Sequence, residues 1–397
     1  MANPVMAYAW GSHDGIAALQ GRAASDQPEA ELWMGAHPRA ASVLADPKRA
    51  GGAGEPLDAW IVADPEAVVG RDIVARFGPR LPFMLKVLSA AQPLSLQVHP
   101  DDALAREGCA AEDAAGIDRA APERSYRDPY AKPELLVAVT DFEVLLGFRP
   151  AAAAADALAA LGVRRLDRVV EALRGGAPTG EGFLAVVSWP AGQRADLVAE
   201  VRAAAAGVDD ERSAWVVSLA DRYPTDPGVV GVVLLNYLRL RPGQAVYVDP
   251  GQIHAYLCGT GLEVLGSSDN VVRGGLTPKH VAIAELRRAL AVEATSPQVI
   301  EPFADADGVE RWNTSRSEFA LARLRVDGER RDASPGPAIV LCLEGKVEVN
   351  AADATVMLNG GESAFVTANA PAVTFVGEGV LIRATAGPPP TKARSGA

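Results

Sequence analysis

The sequence predicts a mainly β protein, with two β-rich units and an α-helical block inserted into the first. Three observations carry this. Short apolar and β-branched runs, bounded by Gly, Pro, Asn and Asp, occupy residues 94–147 and 236–256. Between them lies a stretch rich in Ala and Leu with helical spacing. A second series of short strands separated by glycine-bearing turns runs from Trp312 to Thr385, a pattern that suits a small β-sandwich or barrel.

In chain order, Leu94–Val98 reads as a short strand. Leu135–Val139 and Phe142–Gly147 read as strands joined by a turn at Thr140-Asp141. Ala152–Leu161, Leu166–Leu173 and Ala195–Ala206 have good helix formers at helical spacing. Gly228–Leu235 reads equally as buried strand or short helix. Asn236–Leu240 and Ala245–Val248 flank Arg241-Pro242-Gly243-Gln244; Pro-Gly suits the centre of a type II turn, so the pair reads as a hairpin. Phe319–Val326, Ala338–Leu343, Val347–Asn350, Ser363–Val366 and Val380–Ala384 are the later strands. The resulting division is 1–150 with 226–311 for the first β unit, 151–225 for the helical insertion and 312–387 for the second β unit. The Pro-rich tail, 388–397, is expected to be disordered.

The 397 residues are 49% hydrophobic and 22% charged, ordinary for a globular protein with a substantial core. A net charge of −12 argues against nucleic-acid binding, which needs basic patches. It does not exclude an anionic small-molecule substrate, because a pocket can carry local positive charge that the total hides. The three cysteines, Cys109, Cys258 and Cys342, have no CxxC spacing and read as reduced thiols of a cytoplasmic protein. The start, MANPVMAYAWGSHDG, has no basic segment followed by an apolar run. The longest apolar stretch, Val229–Leu235, is too short to span a bilayer. The expectation is a monomer without membrane association.

Two of the five histidines sit in unusual company. In Gln97-Val98-His99-Pro100-Asp101, Gln97 and His99 are two apart on a strand and point to one face. They either converge on one point or both face solvent. In Asp249-Pro250-Gly251-Gln252-Ile253-His254-Ala255-Tyr256, a Pro-Gly loop leads to a histidine on a new strand. Glu134, in Lys132-Pro133-Glu134, opens an apolar strand where an unpaired carboxylate is costly to bury. A metal or Lys132 would relieve that cost; the alternative is a surface glutamate. Gln97, His99, Glu134 and His254 together would make an N2O2 site without sulfur. Ligand chemistry alone admits zinc, manganese, cobalt or iron. Lys86, within Phe83-Met84-Leu85-Lys86-Val87-Leu88, is a cation in an apolar run, which points to a function or to snorkelling.

These segments resemble the class I (cupin-type) mannose-6-phosphate isomerases. The longest match is His254-Ala-Tyr256, then Glu263, then Ser268-Asp269-Asn270-Val-Val-Arg273-Gly-Gly-Leu-Thr277-Pro278-Lys279. The QxHPD and KPE segments match in the family's order, as do Tyr8-Ala-Trp10-Gly11-Ser12 and Glu31-Leu-Trp33-Met-Gly35-Ala-His37-Pro38. The likeness runs from about Tyr8 to Lys279; the second β unit is supported only by position and pattern.

The resemblance implies two cupin jelly-roll units with an inserted helical domain. It implies one zinc on Gln97, His99, Glu134 and His254. The activity it implies is interconversion of mannose 6-phosphate and fructose 6-phosphate through a cis-enediol. Arg273 matches an arginine important in catalysis, and Lys132 and Glu263 match polar residues of the same pocket. Ser95, Lys86 and Lys279 fall where the family handles phosphate.

Chemistry then ranks the candidates for the proton-transferring base. Glu263 comes first, with an ion pair to Arg273 as its alternative role. Lys132 or a metal-held water comes second. Arg273 is permanently charged and suits charge stabilisation. Tyr256 either bonds the sugar or packs; Trp10 and Trp33 are expected in the core; and His13, His37 and His280 are not assigned to the metal. Two other readings compete, an iron-dependent cupin oxygenase and a non-catalytic sugar-phosphate sensor. The lysines and the Arg273 segment disfavour the first, and the second would tolerate loss of Glu134.

Overall fold

The computed structural model describes residues 1–45, 54–314, 316–332, 336–351, 354–370 and 372–389. One long strand, His254–Gly266, organises the first β unit. Its early residues pair antiparallel with Leu96–Val98 and Phe142–Phe148. From Gly259 to Gly266 it pairs instead with Phe83–Ala90 and Glu134–Ala138. The change of partners falls at a bulge between Tyr256 and Cys258, followed by Gly259 at φ +121°. A bulge bends its strand and lets it leave one sheet for another. One strand thus belongs to two sheets and folds them face to face. Glu31–Met34 extends the first of these sheets beside Phe83–Ala90, and Val272–Gly275 extends the second beside Leu96–Val98.

Both faces of each sheet are covered. Leu85, Val87, Leu135, Val137, Leu262 and Val264 face outward and pack with Phe319, Leu321, Ile339, Leu341 and Ile382 of the second β unit. On the opposite side, Leu96, Val98, Leu145, Ala255 and Leu257 pack with Leu158, Leu166, Phe183 and Val201 of the helical block. Between the sheets, Leu88, Leu136, Val144, Leu146, Val246 and Val248 close the interior. Strands buried on both faces lose the polar alternation of a half-exposed sheet. That is why they read as continuous apolar runs.

The helical block contains Ala151–Ala160, Asp167–Arg174, Thr179–Val187, Arg194–Ala205 and Glu211–Arg222. Three of these match the sequence reading. Thr179–Val187, with two glycines and two valines, gives little helical signal. Its formation is tertiary: a Cβ on Gly180 would lie 2.4 Å from Val292 Cα, so this glycine permits a close packing that larger residues forbid. Glu211–Arg222 is capped by Asp210, whose carboxylate accepts from Ser213 N–H at 2.8 Å. Gly228–Leu235 resolves as a short 3-10 turn, Pro227–Val230, then one α-helical turn, Gly231–Leu234.

The expected hairpin across Arg241–Gln244 does not form. The turn itself is present: Gln244 N–H donates to Arg241 C=O at 2.9 Å, with Gly243 at φ +89°. However, Leu235–Leu240 pairs with Phe142–Phe148, and Ala245–Val248 pairs with Glu134–Ala138. Each flanking strand is claimed by a different neighbour, so the turn carries the chain from one sheet to the other.

In the second β unit, Ala338–Leu343 and Val347–Asn350 are one strand, Ala338–Ala351, irregular between Cys342 and Glu344. It pairs with Val373–Thr385, Ala354–Asn359 and Ser363–Val366; the Ala354–Asn359 strand was not read from sequence. Of the tail expected to be disordered, residues 390–397 lie outside the described residues.

The strand junction gives a stability prediction. A methyl group on Gly259 would sit 2.6 Å from the Asp141 carbonyl, in a backbone conformation L-residues rarely adopt. Gly259→Ala should destabilise the protein by roughly 2–3 kcal/mol, measured by urea unfolding. A midpoint unchanged from wild type would contradict this account of the corner.

Candidate active site

The interior between the two sheets is apolar at one end and polar at the other. Strand register builds the polar end. Trp33 pairs with Lys86, and Lys86 pairs with Glu263, so the three side chains form one row. His254 pairs with Gln97, which pairs on its other edge with Arg273. Leu96 and Val98 are buried against the helical block, so Gln97 faces the interior and lines the cleft. The expected alternative, with Gln97 and His99 facing solvent, is therefore not realised: His99 is fully buried.

His99, Glu134 and His254 each place one ligand atom within 4.8 Å of the others. His99 Nδ1 lies 2.7 Å from the Asn270 carbonyl, and His254 Nδ1 lies 3.1 Å from the Gln252 carbonyl. A carbonyl can only accept, so both contacts assign the ring proton to Nδ1. In the neutral ring each Nε2 then carries a bare lone pair. Those lone pairs face Glu134, at 3.2 Å for His99 and 3.4 Å for His254. Among the described residues, both Nε2 atoms are buried without a hydrogen-bond partner. Burial, followed by the charge of Lys132, lowers the His99 pKa to about 4, so a protonated ring does not supply the missing donor. Each orphaned nitrogen costs roughly 1–3 kcal/mol, and here both face an anion. A divalent cation among the three would convert that repulsion into bonding, and the nitrogen–oxygen donor set suits zinc.

Around this cluster the charges interlock. Burial alone would raise the Glu134 pKa, but Lys132, with Nζ at 3.0 Å, and then His99 hold it well below the ordinary carboxylate range. Tyr256 O–H donates to Glu134 at 3.3 Å; burial and the Glu134 charge push its own pKa far up. Lys86 Nζ sits 3.4 Å from both Glu31 and Glu263, over the Trp33 ring. Burial opposes its charge, yet Glu31 and Glu263 outweigh burial and hold the ammonium protonated. Burial and the nearby Glu134 charge raise the Glu263 pKa. Glu263 therefore pairs with Lys86, and the ion pair with Arg273 considered from sequence is absent.

The cluster opens into a cleft of about 370 Å³. Eight Lys and Arg residues line it against four carboxylates, opposite in sign to the chain as a whole. Ser95, Arg273 and Lys279 line this cleft along with Lys86. Arg273 is half-buried and makes no ion pair among the described residues. Burial and then Arg127 lower its pKa, while burial and then Arg273 lower that of Lys279. Such cations gain from an anion between them.

Sequence reasoning missed five participants. Glu31 anchors Lys86 and accepts from Trp33 Nε1–H at 2.8 Å. Arg39 and Arg127 flank Asp269, at 2.6 and 3.4 Å. Asn270 is fully buried behind His99. Glu31, Asp269 and Asn270 lay within the matched motifs, but as single letters they carried no partner. Trp33 is buried as expected yet forms a cleft wall under Lys86, and Trp10 stacks on Tyr8 at the cleft, 5.7 Å between ring centres. His37 packs edge-on against Trp33, away from the cluster. His13 contacts the Ser25 carbonyl and is exposed.

A face-to-face β fold, two histidines and a glutamate poised for a metal, and a cationic mouth define a cupin-type metal-dependent enzyme with an anionic substrate. Known proteins refine this. The model of the phosphomannose isomerase type I catalytic domain matches residues 1–151. Mannose-6-phosphate isomerase of Escherichia coli (strain K12) is 36% identical, covering 96% of this chain and 98% of its own. Mannose-6-phosphate isomerase 1 of Arabidopsis thaliana is 30% identical over 86% of this chain and 81% of its own. The crystal structure of the Salmonella typhimurium enzyme bound to fructose 6-phosphate and zinc superposes with a TM-score of 0.88 at 33% identity, covering 97% of this chain and 98% of that one. The chain belongs to the type I mannose-6-phosphate isomerase family.

The electrostatics near the cleft give a pH prediction. Burial lowers the His37 pKa from 6.5 to about 4. The unfolded chain then binds more protons than the folded one across that window, so stability is full above 6.5 and falls as pH drops toward 4. His37→Asn keeps an acceptor for Arg39 N–H and removes the titration. Between pH 7 and 5 the variant should lose about 2 kcal/mol less stability than wild type in urea titrations. Identical losses in both would contradict it.

Proposed function

We propose that this protein interconverts mannose 6-phosphate and fructose 6-phosphate, with one zinc held by Gln97, His99, Glu134 and His254. The observation that carries the reading is the pair of buried, partnerless imidazole nitrogens facing Glu134 beneath a cationic cleft. Bound zinc supplies a Lewis acid that polarises the sugar carbonyl and its neighbouring hydroxyl.

The chain's own residues do the rest. Lys86, Ser95 and Lys279 take the phosphate, whose binding energy positions C1 and C2 of the opened sugar. Lys86 suits this because Glu31 and Glu263 keep it charged despite burial. Glu263 is the base that moves the proton between C1 and C2 through a cis-enediol(ate). Its raised pKa brings it closer to neutral pH, where a base both stays ionised and accepts a proton readily. Lys132, 3.0 Å from Glu134, is the second choice for that step. Arg273, charged and without a carboxylate partner among the described residues, stabilises the negative charge developing on oxygen. Tyr256 donates to Glu134 and so orients the carboxylate as a ligand.

We further read residues 1–150 with 226–311 as the catalytic cupin domain, 151–225 as the helical insertion and 312–387 as a second cupin-like domain. The support is that the barrel interior and the second unit each have a core of their own, with shared cores where the second unit and the helical block pack on the outer faces. Three free cysteines favour a cytoplasmic setting, and among the described residues no helix is long and apolar enough to cross a membrane. We read the protein as a monomer.

The test joins metal analysis to a coupled isomerase assay. Chelation or His254→Ala should abolish turnover, and zinc should restore it only in the chelated wild type. Glu263→Gln should lower kcat by about 10²–10⁴-fold with zinc retained at one per chain. Arg273→Ala should lower kcat by about 10²–10³-fold, also with zinc retained. A metal-free preparation working at full rate would falsify the zinc assignment, and Glu263→Gln at wild-type kcat would remove Glu263 as the base.

A further inference from the structure

Asn270 takes no part in the chemistry above, yet it is fully buried and none of its polar atoms is idle. Its main-chain carbonyl meets His99 Nδ1 at 2.7 Å. Its side-chain Oδ1 accepts from the backbone N–H of Arg127 at 2.6 Å and of Asp128 at 3.1 Å. Its Nδ2 donates to the carbonyls of Asp128 at 2.7 Å and Tyr130 at 2.9 Å. An Asn amide has two N–H groups and one oxygen with two lone pairs, and here all four positions are used. The pattern also fixes which amide atom is oxygen, since two donors face one side and two carbonyls the other.

The segment that Asn270 grips, residues 127–130, carries Arg127 into the cleft and runs directly into Lys132 and Glu134. Neighbouring contacts reinforce the grip. Asp269 N–H donates to Asp128 Oδ2 at 2.9 Å, and the Asp269 carboxylate sits between Arg39 and Arg127. The metal side and the substrate side of the site therefore share one anchor.

We propose that Asn270 is a positioning residue that couples the orientation of His99 to the 127–130 segment, so that metal affinity and substrate affinity depend on it together. This rests on the zinc-isomerase reading. It adds that the imidazole and the cationic wall are placed by one buried amide rather than separately. Outer hydrogen bonds to a metal-binding histidine fix its tautomer and ring orientation, and their loss weakens metal binding.

The experiment is a zinc titration of metal-free full-length protein against a chromophoric chelator, followed by kinetics at saturating zinc. Asn270→Ala should weaken zinc binding about 10–100-fold. With zinc restored, its KM for mannose 6-phosphate should also rise. Asn270→Asp keeps the oxygen that accepts from Arg127 and Asp128 but turns a second oxygen toward the Asp128 and Tyr130 carbonyls and Asp128 Oδ1, and should weaken zinc binding at least as much as alanine. If neither variant folds, wild-type hydrogen exchange decides: zinc should protect the Arg127 and Asp128 amides. Wild-type zinc affinity and KM in a folded variant, or no change in exchange at those amides, would overturn the inference. A wild-type protein that binds no zinc would instead sink the reading beneath it, and that result appears before any substitution is made.

Discussion

A carboxylate as deeply buried as Glu134 can persist only among cations, and the site is arranged around that requirement. Lys132 supplies one positive charge from two residues away in sequence. Neither imidazole is seen donating to it: both Nδ1 atoms meet main-chain carbonyls, and among the described residues both Nε2 atoms lack a hydrogen-bond partner. The remaining compensation is a place for a metal. The same carboxylate then acts outward: burial first and its charge second raise the pKa of Glu263 and of Tyr256, and the Glu263 carboxylate leans on Lys86. The candidate metal cluster and the shifted Glu263 carboxyl thus share one buried anion, while Glu31 and Glu263 keep the buried Lys86 charged.

This network needs a rigid frame with a dry outer surface, and the layers provide it. The second β unit covers one sheet and the helical block covers the other. Strand register does the placing. Trp33, Lys86 and Glu263 meet because three strands bring them into one row, and Gln97 meets His254 the same way. A slip by one residue would turn every one of these side chains into an apolar layer. The large apolar cores on the outer faces therefore hold the catalytic register as well as the fold.

How much of this was legible follows from the range of each interaction. Gln97 and His99 are two apart on one strand, Lys132 and Glu134 are two apart, and His254 follows a Pro-Gly loop. Local pattern marked them as candidates, and the family resemblance joined them into one ligand set. Glu31 and Lys86 are 55 residues apart and meet only across paired strands, so no local pattern linked them. The turn at Arg241–Gln244 was read correctly, but its strands pair elsewhere, because turn chemistry fixes a change of direction and not the next partner. Ala338–Ala351 looked like two strands because Glu344-Gly345 resembles a turn, whereas it is an irregularity within one. Thr179–Val187 became a helix through packing that its own residues do not advertise.

The contrast between the chain's charge and the cleft's charge has a physical consequence. A net −12 over the molecule repels a sugar phosphate at long range, while the lysines and arginines of the cleft attract it nearby. With salt present, fields decay within roughly 8–10 Å, so an anion at the mouth responds to nearby cations such as Arg273, Lys279 and Arg127 and little to the distant surface. Those cations lie close enough to repel one another, and burial lowers the pKa of Arg273 and Lys279 further. An arriving phosphate relieves both penalties. The free site thus carries unfavourable electrostatic energy that an anion between these cations reduces and a neutral molecule does not.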